Sequence, residues 1–62
     1  MIVDYAYPCM MAENALKRLH NAMLEGRYDD AIEAGLEAAV QARLTVTAIR
    51  HEQELKTTKE YQ

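Results

Sequence analysis

The sequence predicts an all-α protein: an antiparallel helical hairpin with a short first helix, a longer second helix and an N-terminal extended arm, assembling into a homo-oligomeric helical bundle. Three observations predict it. Apolar residues recur at helical spacing on both sides of Gly26. No proline or glycine follows Gly35, so nothing stops the second helix early. A chain of 62 residues with one cysteine has neither the size nor the staples for a self-sufficient core, which leaves self-association as the compensation.

Residues 1–7 form the expected arm, and Pro8 suits the first turn of a helix, where a missing N–H costs nothing. From there "PCMMAENALKRLHNAMLE" is rich in good helix formers, predicting a helix over about 8–25. Its apolar line runs Cys9, Ala12, Leu16, Leu19 and Met23, with Ala15 and Ala22 alongside, while Asn14, Arg18, Asn21 and Glu25 fall opposite. Gly26 is the natural stop. In "GRYDDAIE", Asp29 or Asp30 can cap a new helix, and Asp30 with Glu33 has capping-box spacing.

A turn over 26–28 is too short for anything but an antiparallel hairpin. The second helix is expected over about 29–56, ~42 Å long against ~26 Å for the first, so its last ~10 residues overhang. The arm could fold back over that overhang, with Ile2, Val3, Tyr5 and Tyr7 as its apolar surface. Residues 57–62 read as a polar tail.

The turn segment "EGRYDDAIEAGLEAA" resembles the central part of a tetratricopeptide repeat, with Gly26, Tyr28, Ala31 and Ala38 at matching places. It occurs once, has Gly35 where that family carries an aromatic, and lacks the closing proline, so it reads as shared turn physics. In size and plan the chain is also similar to the Rop-type helical hairpin, which dimerises into a four-helix bundle.

Projected at 100° per residue, the second helix carries an arc of small residues (Ala31, Gly35, Ala38, Ala39, Ala42, with Val46 and Ile49) beside a bulky set, Ile32, Leu36 and Val40. One partner helix cannot cover both. The expected oligomer interface is therefore Ala31, Ile32, Gly35, Leu36, Ala39, Val40, Ala42, Val46 and Ile49.

Arg43, Thr47 and Arg50 share one line within this apolar arc, and Glu54 extends it. Three readings stand. The arginine stems pack at a bundle edge with their heads in water; or they pair with a carboxylate of another subunit, Glu54 or Glu13 being candidates; or guanidiniums from two chains grip an anion. In the last case Thr47 adds a hydroxyl donor and Tyr5, Tyr7 or Tyr28 could stack on a nucleotide-like ligand.

Catalytic chemistry is largely missing. "HEQEL" at His51 begins like a zinc-protease signature, but the second histidine position is Leu55. The di-iron spacing fails because Ala48 and Lys17 stand three before His51 and His20. There is no serine and no Gly-rich phosphate loop. Cys9 follows Pro8 at a helix start but also lies on the core line, so a buried small hydrophobe is the stronger reading. His20 is placed for a structural hydrogen bond. No cofactor, metal site or enzyme activity is expected.

The net charge of −3 argues against a general nucleic-acid binder, and Lys17–Arg18 is the adjacent basic pair on which Rop-like RNA binding would have to rest. No stretch has the length of a membrane span, "MIVDYAYPCM" lacks a basic leader region, and the lone thiol fits a reducing compartment; a cytoplasmic location is expected. Met10, Met11 and Met23 could line an adaptable surface for a protein partner.

The expectation is thus a small non-catalytic protein-interaction module, an inhibitor or adaptor; such chains resemble accessory proteins of bacteria and their viruses, including inhibitors of host defence. The alternative is sequestration of an anionic small molecule at a subunit interface by Arg43, Thr47 and Arg50.

Overall fold

The computed structural model describes residues 4–60, with side chains through residue 56. Its two helices, α1 (Ala6–Leu24) and α2 (Tyr28–Glu60), pack against each other as a hairpin. The result is a rod measuring 55 × 16 × 13 Å.

Helix α1 begins at Ala6, two residues before the expected start at Pro8. Asp4 is the reason: its Oδ1 accepts the Ala6 N–H at 2.9 Å, so an orphan donor of the first turn is met from outside the helix. Pro8 falls third in the helix, still among the N–H positions that have no acceptor within it. Of the residues expected to form the arm over 1–7, Ala6 and Tyr7 are helical instead. Ile2 and Val3 lie outside the described residues.

The C-terminus of α1 closes as the glycine suggested. Gly26 has φ of 73°, the Gly26 N–H bonds Met23 O at 3.1 Å, and the Arg27 N–H reaches Ala22 O at 2.8 Å. This paired pattern is the Schellman motif, which needs a left-handed residue at Gly26. Gly26→Ala is expected to lower stability by about 1–2 kcal/mol, the left-handed penalty of an L-residue, read as a reduced urea midpoint.

Arg27 then pins the turn. Its Nε donates to Glu25 and its Nη1 to Asp30, each at 2.7 Å. The Asp30 carboxylate, then that of Glu25, hold the guanidinium above its ordinary value. The capping box expected of Asp30 with Glu33 is therefore not the arrangement seen: Asp30 lies inside α2 and bonds Arg27. Asp29 and Asp30 nonetheless sit in the first turn, where their charge favours the helix dipole. At its far end α2 runs to Glu60, past the expected end at residue 56, so the backbone of 57–60 is helix rather than tail.

The core is a seam of alanines. Ala15 and Ala22 of α1 and Ala31, Ala34, Ala38 and Ala48 of α2 are buried, with Pro8 also buried. Half-buried Gln41 and Thr45 complete the α2 row. That row, Ala31–Ala34–Ala38–Gln41–Thr45–Ala48, has steps of three and four, the heptad spacing of a coiled coil. Thr45 enters it at little cost because its hydroxyl donates to Gln41 O at 2.9 Å.

The α1 counterpart is Pro8, Ala12, Ala15, Leu19 and Ala22. Leu16 and Met23, expected on the core line, are instead about half exposed, at 53% and 48%. Alanines bring the helix axes too close for them to enter. The same closeness explains Gly35, where a Cβ would stand 3.1 Å from Leu19 Cδ1.

Two contacts fix the register. Leu19 lies at Gly35, and Arg18 of α1 is ion-paired with Glu37 of α2. Antiparallel alignment then sets Ala15 near Ala38, Ala12 near Gln41 and Pro8 near Thr45. Beyond the level of Ala48, α2 continues past the start of α1, and residues 49–56 are all exposed.

Candidate functional site

Among the described residues no large side chain is fully buried, and the large apolar residues of α2 point outward. Moving each seam residue of α2 one place along gives Ile32, Gly35, Ala39, Ala42, Val46 and Ile49. This second row has the same heptad spacing, rotated ~100° from the first. Ile32 is 63% exposed, Val46 and Ile49 48% each. One helix thus carries two seams, and α1 fills one of them.

Most of the expected interface residues are exposed: Ile32, Ala39, Ala42, Val46 and Ile49 lie in this row, and Leu36 and Val40 lie outside it. Ala31 is covered by α1 instead, and Gly35 is half-buried against Leu19. Their small size serves the intramolecular seam first.

The open face continues onto α1. In the register above, Cys9 lies level with Ala42, Leu16 with Gly35, and Met23 with Tyr28, on the side of the hairpin opposite the Arg18–Glu37 pair. Leu16 and Met23 are exposed and Cys9 is half-buried, so both helices contribute apolar surface to one flank. On the other flank Met11, half-buried, lies level with the exposed Leu44, and Met10 is exposed nearby.

Arg43 and Arg50 stand on the outer line of α2, seven apart with Leu36 and Asp29, bordering the second row. An open groove is lined by Ala42, Arg43, Val46, Thr47 and Arg50. The Thr47 hydroxyl donates to Arg43 O at 3.1 Å. In that rotamer its proton is committed to the backbone, so Thr47 does not offer the groove the donor the sequence suggested.

Tyr5 and Tyr7, at the start of α1, lie at the level of the groove and are exposed. Tyr28 is exposed at the turn, ~22 Å along α2 from Arg43 and ~33 Å from Arg50. Within one chain the three tyrosines and two arginines do not converge.

A second groove beside the turn is lined in part by Arg18, Asn21, Arg27 and Asp30, but both of its cations are already paired with carboxylates. Lys17 and Arg18 of the basic dipeptide are both exposed, and Arg18 is paired with Glu37. Among the described residues no cluster of histidine, cysteine and acidic side chains could hold a metal ion, and no helix is long and apolar enough to cross a membrane.

The fold and this face define a two-helix hairpin with one closed and one open seam. No family model matches the sequence, and no curated protein or solved structure matches it either.

Proposed function

We propose that the chain is a small non-catalytic protein-interaction module that assembles with itself through the second row of α2 and serves as an inhibitor or adaptor for a larger protein. The observation that carries this reading is the open heptad row itself. Isolated exposed apolar residues are ordinary, but five exposed positions at coiled-coil spacing, with half-buried Gly35 completing the row, are a template for another helix on a rigid rod. The methionine-bearing flank around Met10, Met11 and Leu44 supports the second half of the reading, since it stays free when the open row is filled and has the adaptable side chains that suit a protein partner.

Light scattering tests the assembly. The wild-type protein is expected to show a multiple of 7.1 kDa at 100 µM-scale concentration (about 10⁻⁴ M, where even modest helix–helix affinities register). Ala42→Glu, placing a carboxylate in the open row, is expected to remain helical by circular dichroism and to run as a single chain. A wild type that is folded and single under those conditions rules the reading out.

The groove beneath Arg43 and Arg50 supports a second reading, capture of an anionic small molecule such as a nucleotide. Nucleotides or inorganic phosphate are then expected to raise the melting temperature of the wild type and not of Arg50→Ala. A panel that moves neither variant removes it. Inhibitor action within a bacterial or viral setting belongs to the same proposal and rests on the resemblance in plan alone, whereas a cytoplasmic location is proposed from the lone thiol.

A further inference from the structure

The geometry points to a specific occupant of the open row: we infer that it is a second copy of this chain, α2 against α2 and antiparallel, with Asp29 of each copy paired to Arg50 of the other. This rests on the self-assembly reading above and adds orientation and register to it.

Area comes first. A folded monomer of 7.1 kDa is expected to expose ~4,100 Å², whereas this chain exposes 5327 Å². Against an unfolded chain of ~10,300 Å² it buries about 48%, short of the ~60% usual at this size. The excess, ~1,200 Å², exceeds the ~800 Å² that each partner contributes to a standard stable interface. The open row contributes Ile32, Val46 and Ile49 to that surface, each about half exposed or more.

The row is also complementary to itself when reversed. Set antiparallel about a two-fold axis midway between Ala39 and Ala42, Ile32 meets Ile49, Gly35 meets Val46, and Ala39 meets Ala42 of the second copy. Tyr28 and Gln53 form the next layer outward. Alanines at the axis let the backbones approach closely, the glycine faces the β-branched valine, and the isoleucines close the ends.

Charge selects the same arrangement. The line bordering the row on its outer side is Asp29, Leu36, Arg43, Arg50. In this register Asp29 falls beside Arg50 of the second copy, twice by symmetry, and the Arg43 stem lies over Leu36. The two Arg43 residues are offset by ~10 Å along the axis and the two Arg50 residues by ~31 Å, so the like charges are kept apart. The arginines on the apolar arc are thereby accounted for as orientation devices.

A perpendicular two-fold also follows from the placement of α1. The two seams of α2 are ~100° apart, so this axis sets α1 of each copy beside the other and closes a four-helix square. Leu16, exposed in the single chain, faces inward there. A parallel pair would put the two α1 helices on opposite sides and leave Leu16 in water.

Two experiments test the inference. In a Cys9→Ser background, Ile32→Cys and Ile49→Cys are mixed, allowed to exchange subunits and oxidised. The mixture is expected to give a disulfide-linked heterodimer, while each variant alone gives none, since like positions are then ~25 Å apart. Disulfides within each variant alone and none between them would establish a parallel pair and overturn the inference.

Asp29→Arg and Arg50→Asp are each expected to weaken the dimer ~10- to 30-fold, and the double variant to recover to within ~3-fold of wild type. Because the double variant retains the unfavourable arginine in the first turn of α2, recovery cannot come from helix stability. A wild type that self-associates but shows no recovery in the double variant defeats this register while leaving self-assembly intact. A folded, single-chain wild type defeats both.

Discussion

Ala38→Leu is expected to open the hairpin, lowering stability by about 3 kcal/mol, the upper end of what overpacking costs. Ala38 lies in the middle of the α2 row and is buried against α1 at the level of Ala15. Of its neighbours in the seam, Ala15 and Ala34 have no side chain that can swing away, and Leu19 and Gln41 beside them are already half-buried. The only relief is to move the helix axes apart, which strips contact from Ala15, Ala22, Ala31 and Ala34 together. Each of those methyls contributes on the order of 0.8 kcal/mol, so the damage is collective. Urea titration at low micromolar concentration measures it. Ala39→Leu is the comparison: one residue along, the same side chain points away from α1 and is expected to leave the hairpin standing. Equal loss at both positions would show that the seam has been misplaced.

That contrast between adjacent alanines also explains what could be read from the sequence. The hairpin, its turn and the ends of its helices near Leu24 and Tyr28 were legible because Gly26, the change of pattern around it and the helix formers on either side act locally. The face of α2 that meets α1 was not. Projection at 100° per residue keeps an isolated helix straight, whereas the seam follows a repeat of seven and drifts ~20° per heptad. Ala31 and Ala38 lay within the projected arc, but Ala34 and Ala48 fell outside it, because α1 packs against the edge of that arc and not its centre. Gln41 and Thr45 concealed the row further, being polar in name but small or flexible enough to line it.

Side-chain size misled in the same direction. Leu16 and Met23 look like core residues, and hydrophobicity scales rank them above alanine. A close-packed alanine seam excludes them, and the larger side chains become the outer surface. The arginine line was visible in the sequence as an anomaly, but its meaning depended on which row it bordered. Thr47 could be placed beside Arg43 from spacing alone; that its hydroxyl is turned back to the Arg43 carbonyl could not.

If folding and assembly are one process, stability must depend on concentration, and this is the second large effect expected. A chain that buries too little surface alone gains its margin from its copy, so the melting temperature is set by mass action. Each tenfold increase in concentration adds ~0.7 kcal/mol per chain for a dimer, half of the ~1.4 kcal/mol that a factor of ten is worth. For a domain of this size that corresponds to a rise of ~3–5 °C per decade. Ala42→Glu, with its carboxylate at the proposed axis, is expected to melt at a lower temperature that no longer moves with concentration. Its hairpin seam is untouched, because Ala42 is exposed and the alanines that meet α1 are all retained. A wild-type midpoint that stays constant from 5 to 500 µM (about two decades, hence an expected span of ~6–10 °C) would mean that the alanine seam suffices by itself. The open row would then be surface awaiting some other protein, and its self-complementarity would be without consequence.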